Sequence, residues 1–290
     1  MTSIHSHNLH LHLPHPPSTL TATPTTTLPP STTTGLQFRH KLLYLESLNI
    51  NSLKALSLNP TLRTTPLSTL LAVEDTLLST FHLPRSSLGR ILDMFPSLLS
   101  AVPSATLLPV HHFLRHHADL SSSLLPRAVL RCPRLLVSSV PDQLRPSLLF
   151  LRHRLRLPIT PHTAVLLVSS VDNTLLPKLH FLENLGFAPH QVVVMVQRSP
   201  ALLTYSIENN LVPKTEFFLR EMKGDLGEIE RFPQYFSFSL DGRIKPRFRL
   251  LEEYGVSMSL KDMLTVSDGE FDIRLLELRL RTADQVRLLL

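Results

Sequence analysis

Residues 188–221 read APHQVVVMVQRSPALLTYSIENNLVPKTEFFLRE, and two prolines thirteen residues apart, Pro200 and Pro213, punctuate them. The same pair returns as Pro96/Pro109, Pro133/Pro146 and Pro233/Pro246, and once as Ala164/Pro177. Two residues after each first anchor comes an apolar pair: Leu98-Leu99, Leu135-Leu136, Leu166-Leu167, Leu202-Leu203 and Tyr235-Phe236. Two residues before each second anchor stands Leu107, Leu144, Leu175, Leu211 or Ile244. Four and five residues after it come Phe113-Leu114, Phe150-Leu151, Phe181-Leu182, Phe217-Phe218 and Leu250-Leu251. The first anchors advance by 37, 31, 36 and 33 residues, the period of a solenoid repeat.

Inside a unit the apolar spacing is helical. Val192 and Val196 precede Pro200 by eight and four residues, Leu125 and Val129 hold those places before Pro133, and Leu88 and Leu92 before Pro96. Pro189 suits a first helical turn, where its missing N–H costs nothing. Pro200 ends the helix, because the residue before a proline is pushed out of the α region. Leu175, Leu179, Leu182 and Leu185 outline a second helix stopped at Gly186, and Gly255 plays the same part after Tyr254. Ser139, Ser170, Ser206 and Ser239, seven residues before the second anchor, are expected N-caps. A proline seven residues into a helix would kink it, so a short capped turn should come first, with the main helix starting near the proline. The interval around residues 157–161 is about five residues short, so its first helix should be replaced by a turn.

The array should therefore run from 41 to 290 as an all-α helical-repeat solenoid, a superhelix right-handed in type. Its units fall near 60–95, 96–132, 133–163, 164–199, 200–232 and 233–271, followed by a helix at 272–290. The first unit, from Asn59-Pro60 with Leu71 and Leu77-Leu78 in the apolar columns, reads as a degenerate cap. Residues 1–40 form a leader. No Asp or Glu occurs before Glu46, and fourteen of the first 34 residues are Ser or Thr, as in an organellar transit peptide. Its proline and threonine content and lack of arginine before Arg39 favour the chloroplast over the mitochondrion. The single cysteine, Cys132, excludes a disulfide framework.

The unit P-x-L-L, then P-x3-F-L-x3-G, then an apolar helix ending R-x-P, resembles the mTERF family, the mitochondrial transcription termination factors and their plant organellar relatives. The clearest instance runs from Phe181-Leu-Glu-Asn-Leu-Gly-Phe to Gln197-Arg-Ser-Pro200, and Ser267-Asp-Gly-Glu-Phe271 is similar to the family's last unit. The resemblance covers about residues 60–271. It implies an all-α superhelix with a basic groove that binds organellar DNA or RNA, acting in transcription termination or regulation, intron splicing or ribosomal RNA maturation, alongside other plastid gene-expression proteins.

Charge is unevenly placed. Residues 85–160 hold ten Arg, no Lys and three Asp, whereas residues 161–290 hold 15 basic and 17 acidic side chains. Lys178, Lys214 and Arg247 directly follow second prolines. A cation at a helix start opposes the dipole, so helix stability does not explain this row, and a phosphate contact does. Arg131, Arg198 and Arg231 stand two residues before first prolines, where they either pair with a helix C-terminus or track a nucleic-acid backbone. The Phe column reads as core. His112 and His116, at i and i+4, lack a third ligand. No phosphate loop, dinucleotide fingerprint or hydrolase motif occurs. The reading is a monomeric, non-enzymatic protein without cofactor, metal or membrane span. The alternative from another class is an α-solenoid scaffold that binds only proteins.

Overall fold

The computed structural model describes residues 30–289, with side chains from 35 to 281. Residues 1–29 of the expected leader lie outside the described residues, and its remaining part falls in helix Pro30–Ser47. Among the described residues every regular element is helical. No helix among them is long and apolar enough to cross a membrane.

Each first anchor opens a single 3-10 turn: Pro60–Arg63, Pro96–Ser100, Pro133–Val137, Ala164–Val168, Pro200–Thr204 and Pro233–Ser237. The residue before each anchor proline leaves the helical region, with φ near −130° at Phe95, Cys132 and Phe232. That is the steric demand of a following proline, and it ends helices Arg85–Met94, Leu125–Arg131, Pro189–Arg198 and Leu226–Arg231. The apolar pair of each of the last five turns is buried, as are Leu107, Leu144, Leu175, Leu211 and Ile244. One continuous core thus runs through the stacked units.

The second helices begin at the expected serines. Ser139, Ser170, Ser206 and Ser239 each accept a hydrogen bond from the backbone N–H three residues on, at 3.0–3.3 Å. The turn that follows is not a separate element. Val140–Leu144, Val171–Leu175, Ile207–Leu211 and Leu240–Ile244 are π-helical and run straight into the α-helices carrying Pro146, Pro177, Pro213 and Pro246. Shifting the bonds to five residues back, as in Leu144 N–H to the Ser139 carbonyl at 2.9 Å, widens the helix just where the proline ring would clash.

Between Arg154 and Ala164 there is no helix, as the five-residue deficit implies. The degenerate first unit departs from its expected register. Leu71 is 47% exposed and Leu70 is buried instead, because this unit is one residue short after Pro60, whereas Leu77 is buried as expected. Gly89 lets helix Arg85–Met94 press against the preceding helix end, since a Cβ there would lie 1.9 Å from the Leu48 carbonyl oxygen. The last helix, Asp268–Leu289, starts earlier than residue 272, with Ser267 Oγ accepting from the Glu270 N–H and Phe271 buried.

Candidate nucleic-acid interface

The row Lys178, Lys214 and Arg247 turns inward, correcting the expectation that it faces a ligand. All three are at most 9% exposed. Lys178 Nζ donates to the Leu203 carbonyl at 2.6 Å, and Lys214 Nζ to the Phe236 carbonyl at 2.7 Å. Leu203 and Phe236 occupy the same place in successive 3-10 turns, three residues after the anchor proline. Arg247 Nη1 donates to the Met263 and Val266 carbonyls at 2.6 and 3.1 Å, and its Nη2 reaches Asp268 Oδ1 at 2.5 Å. Lys41 repeats the device on the Leu62 and Arg63 carbonyls at 2.8 and 3.0 Å. The cation following Pro177, Pro213 and Pro246 is therefore a latch onto the next unit. A 3-10 turn leaves carbonyls without intrahelical donors, and a long side chain from the neighbouring helix satisfies them. Burial pushes the Lys178 and Lys214 ammonium groups below their ordinary pKa.

The second row remains on the surface. Arg131, Arg198 and Arg231 are exposed. Arg198 Nη1 donates to the Glu230 carbonyl at 3.2 Å, the end of the adjacent first helix, and so takes the helix-capping role for that unit. Arg131 and Arg231 make no side-chain hydrogen bond or ion pair among the described residues.

Apart from Arg131, which a repeat column had already marked, the residues that the columns missed lie between 127 and 156. Arg127, Arg131, Arg134, Arg145, Arg154 and Arg156 are all exposed and make no side-chain hydrogen bond or ion pair among the described residues. By contrast, Arg85 pairs with Glu74 at 2.9 Å, Arg152 with Asp119, and Arg115 Nη1 donates to the Leu120 carbonyl at 2.6 Å. The one acid in this window, Asp142, accepts from its own cap, Ser139 Oγ, at 2.6 Å. The signal for these arginines was the local charge imbalance rather than the repeat register.

Equivalent clefts between second helices show the asymmetry. One of about 170 Å³ is lined by Phe113, His117, Arg145, Arg152 and His153, without a carboxylate. Its counterpart near the other end, about 490 Å³, mixes Arg220, Lys245 and Arg249 with Glu216, Glu221 and Glu252. Arg152 there is paired with Asp119, but Arg145 carries its charge without a local partner, which favours an anionic ligand at the first cleft and not at the second. The Phe column is core: Phe113 is buried, and Phe150, Phe181 and Phe217 pack against the core. The rings of His112 and His116 lie 4.6 Å apart, and no group of three metal-ligating side chains occurs among the described residues.

The repeated unit of helix, proline-anchored 3-10 turn and π-initiated second helix defines the class as an α-helical repeat protein with one basic and one electrically mixed half. Residues 157–272 match the family model mTERF. This stretch of the chain is similar to the mTERF family. It is similar to transcription termination factor MTERF5, chloroplastic, of Arabidopsis thaliana, 37% identical over 87 residues, which are 30% of this chain and 17% of the relative. It is also similar to chloroplastic MTERF4 of Oryza sativa subsp. japonica, 32% identical over 108 residues (37% and 21% of the two chains), and to chloroplastic MTERF2 of Arabidopsis thaliana, 34% over 109 residues (38% and 17%). The matches thus span about one fifth of the relatives' length. All three relatives are named chloroplastic, which supports the chloroplast rather than the mitochondrion as this chain's compartment.

Proposed function

We propose that this chain binds nucleic acid through the exposed arginines of residues 127–156 and regulates chloroplast gene expression, by transcription termination or by transcript maturation. The observation that carries the reading is the set of six exposed, unpartnered arginines in a window with one acid. Arginine suits phosphate through its planar fork of donors, and contacts to phosphate position a strand without reading its sequence. The relatives' names, transcription termination factors of the chloroplast, agree with this role. No catalysis is part of the proposal. Residues 1–40 act in it as a leader for import.

The test is fluorescence anisotropy with labelled duplex DNA and single-stranded RNA across a salt series. Each phosphate neutralised contributes about 0.9 to the log K against log salt slope on duplex DNA and about 0.7 on single strands. Replacing Arg145, Arg154 and Arg156 by Gln should flatten that slope by about 2–3, whichever sequence is bound. Absence of binding at low salt would overturn the reading. A second reading, binding to a protein, draws on one observation: Ile273, Leu276 and Leu280 of the last helix are each more than half exposed and share one face at i, i+3 and i+7. Salt-insensitive binding in a pull-down would favour it.

A further inference from the structure

Arg127 and Arg90 hold the same repeat position, six residues before Pro133 and Pro96. Arg90 Nη2 donates at 3.3 Å to the Leu130 carbonyl, at the end of the next first helix. The carbonyl at the matching place for Arg127 would be that of Pro161, but no helix ends there, because the first helix of this interval is missing. The chain instead runs without regular structure through residues 156–160 and makes a turn at 161–163. Arg127 is left exposed with no partner, and Arg131, one helical turn on, is in the same condition.

The missing helix leaves an open cleft of about 520 Å³, lined by Leu124, Arg127, Arg131, Thr160, Pro161 and His162. No carboxylate lines it. Its far rim is held in place rather than loose. The Thr160 N–H donates to Thr163 Oγ1 at 2.8 Å, and that hydroxyl donates to the Pro158 carbonyl at 2.8 Å. Behind it, Gln197 Nε2 donates to the Leu155 carbonyl at 3.0 Å, so the following unit closes the back of the junction. Two guanidinium forks and the imidazole N–H of His162 can therefore converge on one guest without displacing an existing bond.

We propose that this cleft is a phosphate-binding site that holds a phosphodiester of a bound nucleic-acid strand; the proposal rests on the nucleic-acid reading above. Pro158 and Pro161 remove two backbone donors from the rim, so recognition comes from side chains on an open surface. That suits a strand passing over the cleft better than a small anion enclosed in it. The truncated repeat thus becomes functional: shortening one unit converts an inter-unit capping arginine into a ligand-facing one.

The full chain is tested by anisotropy on labelled duplex DNA and single-stranded RNA, comparing wild type, the double variant Arg127→Gln/Arg131→Gln, and Arg90→Gln. The double variant should lower the salt slope by about 1.8 on duplex DNA or about 1.4 on a single strand. Arg90→Gln, whose guanidinium already caps a carbonyl, should leave the slope unchanged. Circular dichroism melts keep folding separate from binding. If wild type binds and the double variant keeps both its melt and its slope, the cleft is not a contact, although the nucleic-acid reading stands on the other exposed arginines. If wild type binds neither probe, both readings fall. If inorganic phosphate raises the melting point of wild type and not of the double variant while the slopes stay equal, the cleft serves a small anion and the phosphodiester assignment is wrong.

Discussion

At the residue scale the deciding feature is the buried cation that joins units. Lys214 Nζ bonds the Phe236 carbonyl at 2.7 Å, while Tyr235 Oη donates back to the Lys214 carbonyl at 3.0 Å, so one side chain from each unit satisfies a backbone group of the other. Lys214→Met keeps the aliphatic stem and leaves that carbonyl without its donor. It should destabilise by about 1–3 kcal/mol, read from urea midpoints, with no change in the salt slope of nucleic-acid binding. The pH dependence follows from the direction of the shift. Burial lowers the Lys178 and Lys214 pKa below 10.5, so between the folded value and 10.5 the unfolded chain binds more protons. Stability from these groups therefore rises as pH climbs through that window and is reduced below it. The margin of wild type over Lys214→Met should widen toward pH 10.5; a constant margin would mean the ammonium is not desolvated.

At the element scale, how a second helix ends depends on whether glycine is present. Helices Leu176–Asn184 and Lys245–Glu253 stay α-helical and are followed by Gly186 at φ 113° and Gly255 at φ 61°. Where glycine is lacking, the last turn widens into a π turn, as in Phe113–His117, Phe150–Arg154 and Phe217–Glu221. The left-handed position then falls on Asp119, Arg156 and Lys223, each with φ above 50°. A non-glycine residue there costs roughly 1–2 kcal/mol. Lys223 is exposed and makes no side-chain bond, so Lys223→Gly should raise the thermal midpoint, by about 0.5–1 kcal/mol after the extra entropy of glycine is counted. The adjacent Gly224 behaves oppositely. A Cβ there would sit 2.1 Å from the buried Phe218 ring, and Gly224→Ala should destabilise by about 1–3 kcal/mol. A thermal melt of each variant checks both signs.

At the scale of the whole molecule, the two halves differ in both charge and cross-linking. Lys178, Lys214 and Arg247 latch consecutive junctions of the second half. At the corresponding places in the first half stand Val110, which can donate no side-chain bond, and Ser147, whose hydroxyl reaches only the Ser169 carbonyl at 2.8 Å. In a repeat array, stability is close to a sum of unit and neighbour-interface contributions. The basic half should therefore open more readily. Hydrogen exchange should show the amides of Leu107–His112 less protected than those of Lys245–Glu253; equal protection would mean that the latches add nothing.

The sequence by itself determined the all-helical repeat and the resemblance to the mTERF family. Anchor prolines, capping serines and apolar columns act through local sterics and short-range packing, so their spacing was enough to place the ends of the first helices, the serine caps and the missing helix before Ala164. It did not show the π turns, because the route by which a helix accommodates Pro146 or Pro213 depends on bonds formed around the ring. Nor did it show the destination of the long cations. Lys214 and Arg131 are both repeat-register cations, and a flexible stem can carry its charge to a carbonyl or to water. Only the stacking of units decided this, by bringing the Phe236 carbonyl within reach of Lys214 and by leaving Arg127 and Arg131 facing a gap where a helix would otherwise have stood.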